Sequence, residues 1–341
     1  MTRSAATFAR LVLMLLLGVF VVGSAAQSPG LPKANSIGSP SFAQPRSLES
    51  LPRFRAAVDV VAVDVCVKGR NGQFLPGLSA DDFLILDGNT PQSVAFFSAE
   101  ERVPLAVVLL IDRSASMSGP KLKRAKEAAA AFLRTLRPDD LVEVIAFNDH
   151  TSRLFSLWPL WKVEGDLMSQ AISDLSASGR TALYEAVTVG LRDLARAQRD
   201  ATEDSRAAIV VLSDGEDTSS IIGFDDVLED VRRSGVLVYA ISVRTGKNSR
   251  WLAPLRELAQ FAYDSGGQAV AVRSLASLVP VYEEIGTELR HLYRLGYVPA
   301  PMSQDGRWHS ISVRVPGKDV RVRARSGYYA PRPPHYSGDG S

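Results

Sequence analysis

Two patterns of hydrophobic residues divide the chain. Between residues 61 and 67, valines alternate with Ala62, Asp64 and Cys66, and apolar positions alternate with basic ones again between residues 311 and 325. Alternation with a period of two is typical of strands that bury one face. Each flank is too short to form a stable sheet alone. We therefore expect the two flanks to pair with each other as one small antiparallel β module.

The middle of the chain has unbroken apolar runs instead of alternation. Such runs are typical of strands covered on both faces, as in a parallel sheet. Helical periods lie between them, one following Pro120, one from Leu183 to Leu194, and a last one at about 275–290. This order predicts an α/β fold with a doubly wound, mostly parallel sheet, inserted between the β flanks. The runs cover residues 105–111, 141–147, 207–212, 236–243 and, more weakly, 268–272.

The N-terminus has the layout of a secretory signal. Arg3 and Arg10 precede an apolar run over residues 11–23, and small residues follow up to Ala26. We predict export to the periplasm, the cell envelope or the medium, with cleavage near Ala26; an uncleaved membrane anchor is the alternative. The predicted segments are a signal peptide (1–26), a disordered linker (27–50), an N-terminal β segment (51–100), the α/β domain (103–295), a C-terminal β segment (296–330) and a disordered tail (331–341).

Composition and overall charge indicate which partners are not expected, but they do not identify a function. Hydrophobic residues make up 46% of the chain, which is enough for a substantial core. Lys and Arg number 39 against 37 Asp and Glu, so the overall charge indicates neither a nucleic acid nor an anionic membrane as partner. The single cysteine, Cys66, forms no intramolecular disulfide or CxxC motif and is expected to be a buried core residue. Any electrostatic function must therefore be local.

Oxygen-bearing side chains follow the ends of two predicted buried strands and open one helix. Asp112, Ser114 and Ser116 follow the first strand, Asp214 follows the third, and Thr181 precedes the helix between them. The carboxyl ends of strands in a doubly wound sheet meet at the switch point where ligands bind. Hydroxyls and carboxylates are hard donors that suit Mg²⁺, and the same donors accept Mn²⁺ or Ca²⁺. The sequence therefore predicts one divalent metal site.

These residues resemble the metal-ion-dependent adhesion site (MIDAS) of von Willebrand factor A domains. The DxSxS motif is formed by Asp112, Ser114 and Ser116, and Thr181 and Asp214 fill the remaining positions. The resemblance covers about residues 103–295. It implies that the three hydroxyls bind the ion, that the two aspartates bind it directly or through water, and that an acidic residue of a partner protein completes the shell. It implies protein binding rather than catalysis.

Two other functions remain open at this stage. One is a metal-dependent hydrolase, in which the ion activates water; however, the four histidines are scattered, and HExxH, GxSxG and P-loop motifs are absent. The other is a structural envelope protein with a vestigial metal site. The flanks at 77–83 and 325–330 resemble exported bacterial proteins known only as von Willebrand factor A-related, which adds no established activity.

Two conspicuous segments have competing interpretations. Trp158 and Trp161 belong to an apolar segment that could contact a partner, although aromatic residues near strand ends are more often part of the core, which we favour. Arg321, Arg323 and Arg325 lie on one side of a predicted strand. We favour the solvated face of an edge strand for this row, with binding of a polyanion as the alternative.

Charged residues beside the predicted donors also have two interpretations. For residues 216–218 we favour first-turn and capping roles over tuning the charge of the site, because acidic residues suit helix N-termini. Arg113 and Arg180 flank the donors, where they would either steer an acidic partner or simply be solvated.

Overall fold

The computed structural model describes residues 60–99, 102–200, 205–243 and 256–332, which belong to one compact unit. The predicted signal peptide, the linker and most of the predicted tail lie outside the described residues. No helix in the described ranges is both long and apolar enough to cross a membrane.

Strands and helices are numbered in chain order. The strands are β1 (Val61–Gly69), β2 (Leu84–Asp87), β3 (Thr90–Gln92), β4 (Phe96–Ser98), β5 (Leu105–Asp112), β6 (Leu141–Phe147), β7 (Thr151–Pro159), β8 (Arg206–Ser213), β9 (Leu237–Val243), β10 (Ala269–Val272), β11 (Tyr293–Tyr297), β12 (Trp308–Arg314), β13 (Val320–Ala324) and β14 (Gly327–Tyr329). The α-helices are α1 (Pro120–Leu133), α2 (Gly165–Ser173), α3 (Leu183–Asp200), α4 (Phe224–Ser234), α5 (Arg256–Ser265) and α6 (Leu278–Arg290).

The central sheet has the order β10-β9-β8-β5-β6-β7. All of its neighbouring pairs are parallel except β6 and β7. Every residue of β5, β8 and β9 is buried, as expected for strands covered on both faces. The five apolar runs of the sequence correspond to β5, β6, β8, β9 and β10, so the predicted α/β fold with a mostly parallel sheet is confirmed.

Helices cover both faces of this sheet, and alternate residues of β5 face the two layers. Leu109 and Ile111 pack in one core with residues of α1, α2 and α6. Val108 and Leu110 pack in a second core with residues of α3, α4 and α5. Side chains alternate across a strand, so a strand between two helical layers needs apolar residues at every position. The uninterrupted run in β5 is therefore explained by its central place.

The flanks of the chain form a separate antiparallel module, as predicted. One sheet has the order β13-β1-β11-β4 and the other β14-β12-β2-β3, so each combines strands from before and after the α/β domain. Val63, Ile85, Leu295 and Tyr297 are fully buried in the core between them. Strand β11 runs across the predicted boundary at residues 295 and 296, and the exact domain limits stay a prediction.

Buried ion pairs connect the module to the α/β domain. Arg206, at the start of β8, is 1% exposed, and its Nε lies 3.3 Å from Oδ1 of Asp64 in β1. Its Nη1 also donates to the carbonyl oxygen of Leu289 at 2.6 Å, near the end of α6. Glu288 of α6 pairs with Arg323 of β13. Removing one partner of such a pair leaves a buried charge uncompensated, which is strongly destabilising.

The aromatic segment before α2 is exposed, and the interpretation of Trp158 and Trp161 as core residues is wrong. Their exposed fractions are 58% and 65%. Trp158 lies in β7, the outermost strand of the central sheet, and its pairing with β6 shifts register between Val142 and Ile145. The shifts break the alternation by which a sequence shows a strand. The sequence therefore does not predict β7. The place of this strand at the edge of the sheet accounts for the exposure of Trp158.

The exposure of the arginine row at residues 321, 323 and 325 also differs from the expectation. Arg321 is exposed, but Arg323 and Arg325 are half-buried. Arg323 pairs with Glu288 and donates from Nε to the carbonyl oxygen of Gly266 at 3.1 Å. The solvated-face interpretation is wrong for these two residues because the α/β domain packs against this side of the strand.

Glu143 is a buried acid in β6, with 1% of its surface exposed. Its Oε1 accepts a hydrogen bond from Nε of Arg153 at 3.1 Å, whereas Oε2 has no partner. Arg153 also pairs with Asp193 at 2.7 Å, so two carboxylates share one guanidinium. Burial and the negative charge of Asp193 raise the pKa of Glu143 to about 7.

The raised pKa of Glu143 predicts a pH-dependent stability. The folded state holds the proton more tightly than the unfolded state, so the cost of ionising Glu143 is absent below about pH 4.5 and complete above about pH 7. Glu143→Gln should gain on the order of 2 kcal/mol in unfolding free energy relative to wild type between about pH 5 and about pH 8. Urea unfolding at both pH values measures this gain. Glu283→Gln, at an exposed position of α6, is the control, and an equal difference from wild type at both pH values would contradict the prediction.

Candidate metal centre

The predicted donors lie at the carboxyl edge of the central sheet, where the strand order reverses. Strand β5 lies between β6 and β8, and pairs in parallel with both. Ile111 pairs with Leu212, which places Asp112 and Ser213 side by side at the ends of their strands. The Ser213 hydroxyl donates to Oδ2 of Asp112 at 2.5 Å. Two of the predicted segments therefore meet at the switch point.

The loop after β5 brings four of the predicted side chains into a chain of contacts. The backbone N–H of Ser114 donates to Oδ1 of Asp112 at 2.7 Å. The hydroxyl oxygens of Ser114 and Ser116 are 3.0 Å apart. The Ser116 hydroxyl donates to Oδ1 of Asp214 at 2.6 Å. Asp112, Ser114, Ser116 and Asp214 are thus linked, although Asp214 is distant in sequence.

Thr181 approaches the same place from the loop before α3. It is 4% exposed, and a Cβ added to Gly215 would lie 3.9 Å from both Thr181 Oγ1 and Ser116 Oγ. Thr218 holds this loop, because its hydroxyl accepts from the Thr181 N–H at 3.1 Å and its N–H donates to the Thr181 carbonyl at 2.9 Å. The structure therefore brings all five predicted residues to one region.

Asp112 is fully buried, and its charge is surrounded by dipoles. Burial raises the pKa of this carboxyl, hydrogen bonds from Ser213 and Ser114 oppose the shift, and the charge of Asp214 adds to it. No lysine or arginine within the described ranges lies within ion-pair distance of Asp112. A buried carboxylate in this state is stabilised by any cation that reaches it.

Lys121, in the first turn of α1, brings positive charge to the other acid. Its ammonium pairs with Oδ2 of Asp214 and donates to the carbonyl oxygen of Ser116 at 3.1 Å. The Asp214 side chain is only 1% exposed, so this pair is largely shielded from solvent. A cation bound by the hydroxyls would share Asp214 with Lys121.

The donor set fits a hard divalent cation. It offers two carboxylates and three hydroxyls, and all five are oxygen ligands of the type that Mg²⁺ prefers. No group of three or more His, Cys, Asp or Glu suited to a metal occurs in the described part of the chain. The soft or nitrogen-rich sites that favour zinc or copper are therefore not found among these residues.

Comparison with known protein families identifies the α/β domain. The family model described as von Willebrand factor type A domain matches residues 106–282, more than half of the chain. The chain belongs to the von Willebrand factor type A (VWA) family. The match begins within β5 and ends within α6, so it covers the α/β domain.

The VWA domain is also similar to parts of longer proteins. A Synechocystis sp. protein, sll0103, is 34% identical over 117 residues, which are 34% of this chain and 26% of that protein. Inter-alpha-trypsin inhibitor heavy chain H1 of Bos taurus is 32% identical over 129 residues, which are 37% of this chain and 14% of that protein. The chain therefore spans about a quarter or less of the length of these relatives.

Two solved structures match the chain at low sequence identity. A von Willebrand factor type A protein from Catenulispora acidiphila has a TM-score of 0.47 at 14% identity and covers 74% of this chain and 76% of its own. Proximal thread matrix protein 1 of the mussel byssus, with a zinc-occupied MIDAS motif, has a TM-score of 0.44 at 16% identity and covers 58% of this chain and 48% of its own.

Two residues help to position the predicted donors: Asn148, for which the sequence predicts no role, and Asp217, for which it predicts a first-turn or capping role. Asn148 follows β6, and its Nδ2 donates to the Ser178 carbonyl at 2.9 Å, while its own carbonyl accepts from the Ala182 N–H at 2.7 Å. Asp217 accepts from the Tyr184 N–H at 3.1 Å, so it caps α3 rather than a helix that follows it. Asn148 carried the same signal as Asp112, a polar residue directly after a buried strand.

Gly179 allows the Thr181 loop to approach the end of β6. Its φ is +75°, and an added Cβ would lie 1.9 Å from Oδ2 of Asp149. Asp149 cannot simply turn away, because Oδ2 accepts from the Arg180 N–H at 3.1 Å and Oδ1 from Arg180 Nε at 3.2 Å. The Arg180 side chain is 72% exposed despite this pair. Glycine is therefore required here both by φ and by space.

Gly179→Ala should lower the free energy of unfolding more than the same substitution at another glycine with a positive φ. Gly77 has a φ of +79° with nothing within 4 Å of an added Cβ, so Gly77→Ala reports the backbone strain alone. Gly179→Ala must in addition break the contacts of Asp149, which predicts a further loss of about 1 kcal/mol. The unfolding free energies of the two variants in urea measure this difference, and equal losses would show that the Asp149 contact does not constrain the loop.

Proposed function

We propose that the VWA domain binds one divalent cation through Asp112, Ser114, Ser116, Thr181 and Asp214. The observation that carries the proposal is the continuous set of contacts from Asp112 through the two serines to Asp214 at the switch point. Mg²⁺ is the expected ion, and Mn²⁺ or Ca²⁺ would be accepted by the same oxygens. Bound there, the ion supplies a positive charge with room for one more ligand.

The ion would bind a protein partner that donates an acidic side chain. Two carboxylates only neutralise a divalent ion, so a further carboxylate from outside is attracted without displacing a protein ligand. Arg180 lies beside the donors and is 72% exposed, but it pairs with Asp149 and therefore adds no net positive charge. We propose this metal-dependent binding, in adhesion or in assembly of a complex, as the function, and binding rather than catalysis as the use of the metal.

The predicted place of action is outside the cytoplasm. This proposal rests on the N-terminal signal pattern at residues 1–26. The partner would then be a protein of the periplasm, the envelope or the surroundings, and a nucleic acid is not proposed. A membrane contact is proposed only through the signal segment if it stays attached.

Metal titration of the full chain tests the donor set. Isothermal titration calorimetry with MgCl₂ and MnCl₂ should detect one site in the wild type. Ser116→Ala and Thr181→Ala should weaken it by about tenfold or more, because each removes a proposed ligand. Ser118→Ala is the matched control: this exposed serine lies two residues beyond the DxSxS motif, and its removal should leave affinity unchanged.

The use of the metal is tested separately from its binding. Proteins captured from envelope extract in MgCl₂ should be released by EDTA, and Asp112→Ala should not capture them. Absence of metal binding by the wild type would indicate a vestigial site and would overturn the proposal. Metal binding without an EDTA-sensitive partner would contradict only the second part.

Lys121 should weaken metal binding, because its ammonium competes for Asp214. Lys121→Met should raise the affinity for Mg²⁺ by about tenfold, since it removes a positive charge from a shielded carboxylate next to the site. Lys123→Met, an exposed lysine of the same helix, is the control and should have little effect. A weaker affinity of Lys121→Met would show instead that Lys121 orients Asp214 for the ion.

A further inference from the structure

A cleft between α4 and the β module has features that the metal site does not explain. Its volume is about 490 Å³, within the range of cavities that hold small organic ligands. Apolar side chains of Val60, Pro299 and Met302 form part of its wall, and Val60 and Met302 are about half exposed at its rim. Arg325 lines the same cleft. No acidic residue lines it within the described ranges.

Among the described residues, the guanidinium of Arg325 donates hydrogen bonds to carbonyl groups and forms no ion pair with a carboxylate. Its Nε donates to the Gly327 carbonyl at 2.7 Å and its Nη2 to the Arg232 carbonyl at 3.0 Å. Both acceptors are neutral, and no ion pair of Arg325 occurs within the described ranges. Burial lowers the pKa of this guanidinium, and the nearby Tyr297 and Asp64 oppose the shift. Its Nη1 lies 4.0 Å from the position that a Cβ of Gly235 would occupy, and Gly235 lines the same cleft.

The neighbouring arginines of the cleft are already paired. Arg232 lies 2.7 Å from Oδ2 of Asp264, and Arg233 lies 2.7 Å from Oε1 of Glu229. Arg233 also stacks over the ring of Tyr329, with 3.8 Å from its Cζ to the ring centroid. These two side chains therefore add no net charge to the cleft, and Arg233 packs against the ring of Tyr329. The cleft carries one uncompensated positive charge.

A second cavity of about 180 Å³ also touches Arg325. It is lined by Asp64, but both oxygens of that carboxylate are taken by Arg206 and Arg294, at 3.3 and 3.0 Å. Arg325 thus lines both cavities, and no carboxylate of the described residues forms an ion pair with it.

We propose that this cleft binds a small organic monocarboxylate, whose carboxylate pairs with Arg325 and whose apolar body lies against Val60, Pro299 and Met302. A single negative charge matches the single uncompensated guanidinium, whereas a phosphate dianion would bring excess charge into a partly apolar cleft. The site lies at α4 and the β module and does not include the proposed metal ligands.

Calorimetric titration of the full chain tests this proposal with hexanoate, hexylamine and inorganic phosphate as probes. Hexanoate should bind, hexylamine should not, and phosphate should bind more weakly than hexanoate. Arg325→Gln should weaken hexanoate binding by about tenfold or more, because a charge-assisted pair is lost. Arg321→Gln, which removes the exposed arginine of β13, should leave binding unchanged.

A second variant covers the case in which Arg325→Gln does not fold. Ser303→Phe places an aromatic ring among the cleft residues without altering Arg325, and it should also abolish hexanoate binding. Unchanged binding in folded Arg325→Gln or in Ser303→Phe would overturn the proposal. Failure of wild type to bind hexanoate at millimolar concentration, or tighter binding of phosphate, would overturn it as well. Metal titrations are unaffected by either result.

Discussion

The parallel pairing of β5 with β8 is the constraint on which the candidate site depends. It joins Asp112 to Ser213, which are 101 residues apart, through a 2.5 Å hydrogen bond at the ends of two buried strands. Asp214 follows directly, and the Ser116 hydroxyl reaches it. Because each of these strands is covered on both faces, neither can shift its register without exposing apolar residues. The geometry of the donors is therefore fixed by the core and not by the loops alone.

The two ends of the central sheet have different roles. At the amino end, Arg206 begins β8 and pairs with Asp64 of the module, and Arg290 of α6 pairs with Asp140 before β6. At the carboxyl end, about 25 Å away along an eight-residue strand, lie the proposed metal ligands. The Arg206–Asp64 pair joins the module to the amino end, and removing either partner would leave a buried charge uncompensated. The carboxyl edge is the one at which we propose that a partner binds.

The sequence was most informative where one physical rule acts alone. Five apolar runs predict five strands, four of which are buried, and polar residues after two of them predict the donor loops. It was less informative where packing from distant elements decides. Register shifts hid β7, and with it the exposure of Trp158. The alternation in β13 indicates two faces, but it does not indicate that the α/β domain covers the basic face. The partial burial of Arg323 and Arg325 therefore does not follow from the sequence. The contacts of Thr218 with the Thr181 loop are not predictable from the sequence, because a threonine in a polar loop is common.

The pairing of buried charges separates structural from functional groups in this VWA chain. Four buried acids of the described part pair with arginine: Asp140 with Arg290, Glu143 with Arg153, Asp264 with Arg232, and Glu288 with Arg323. Asp112 is equally buried, yet its partners are hydroxyl and amide dipoles. Arg325 is the converse, a desolvated cation that meets only carbonyls. A net charge of +2 gives no long-range attraction, so recognition has to come from such local imbalances. This imbalance supports the proposals that a cation binds at Asp112 and that an organic anion binds at Arg325.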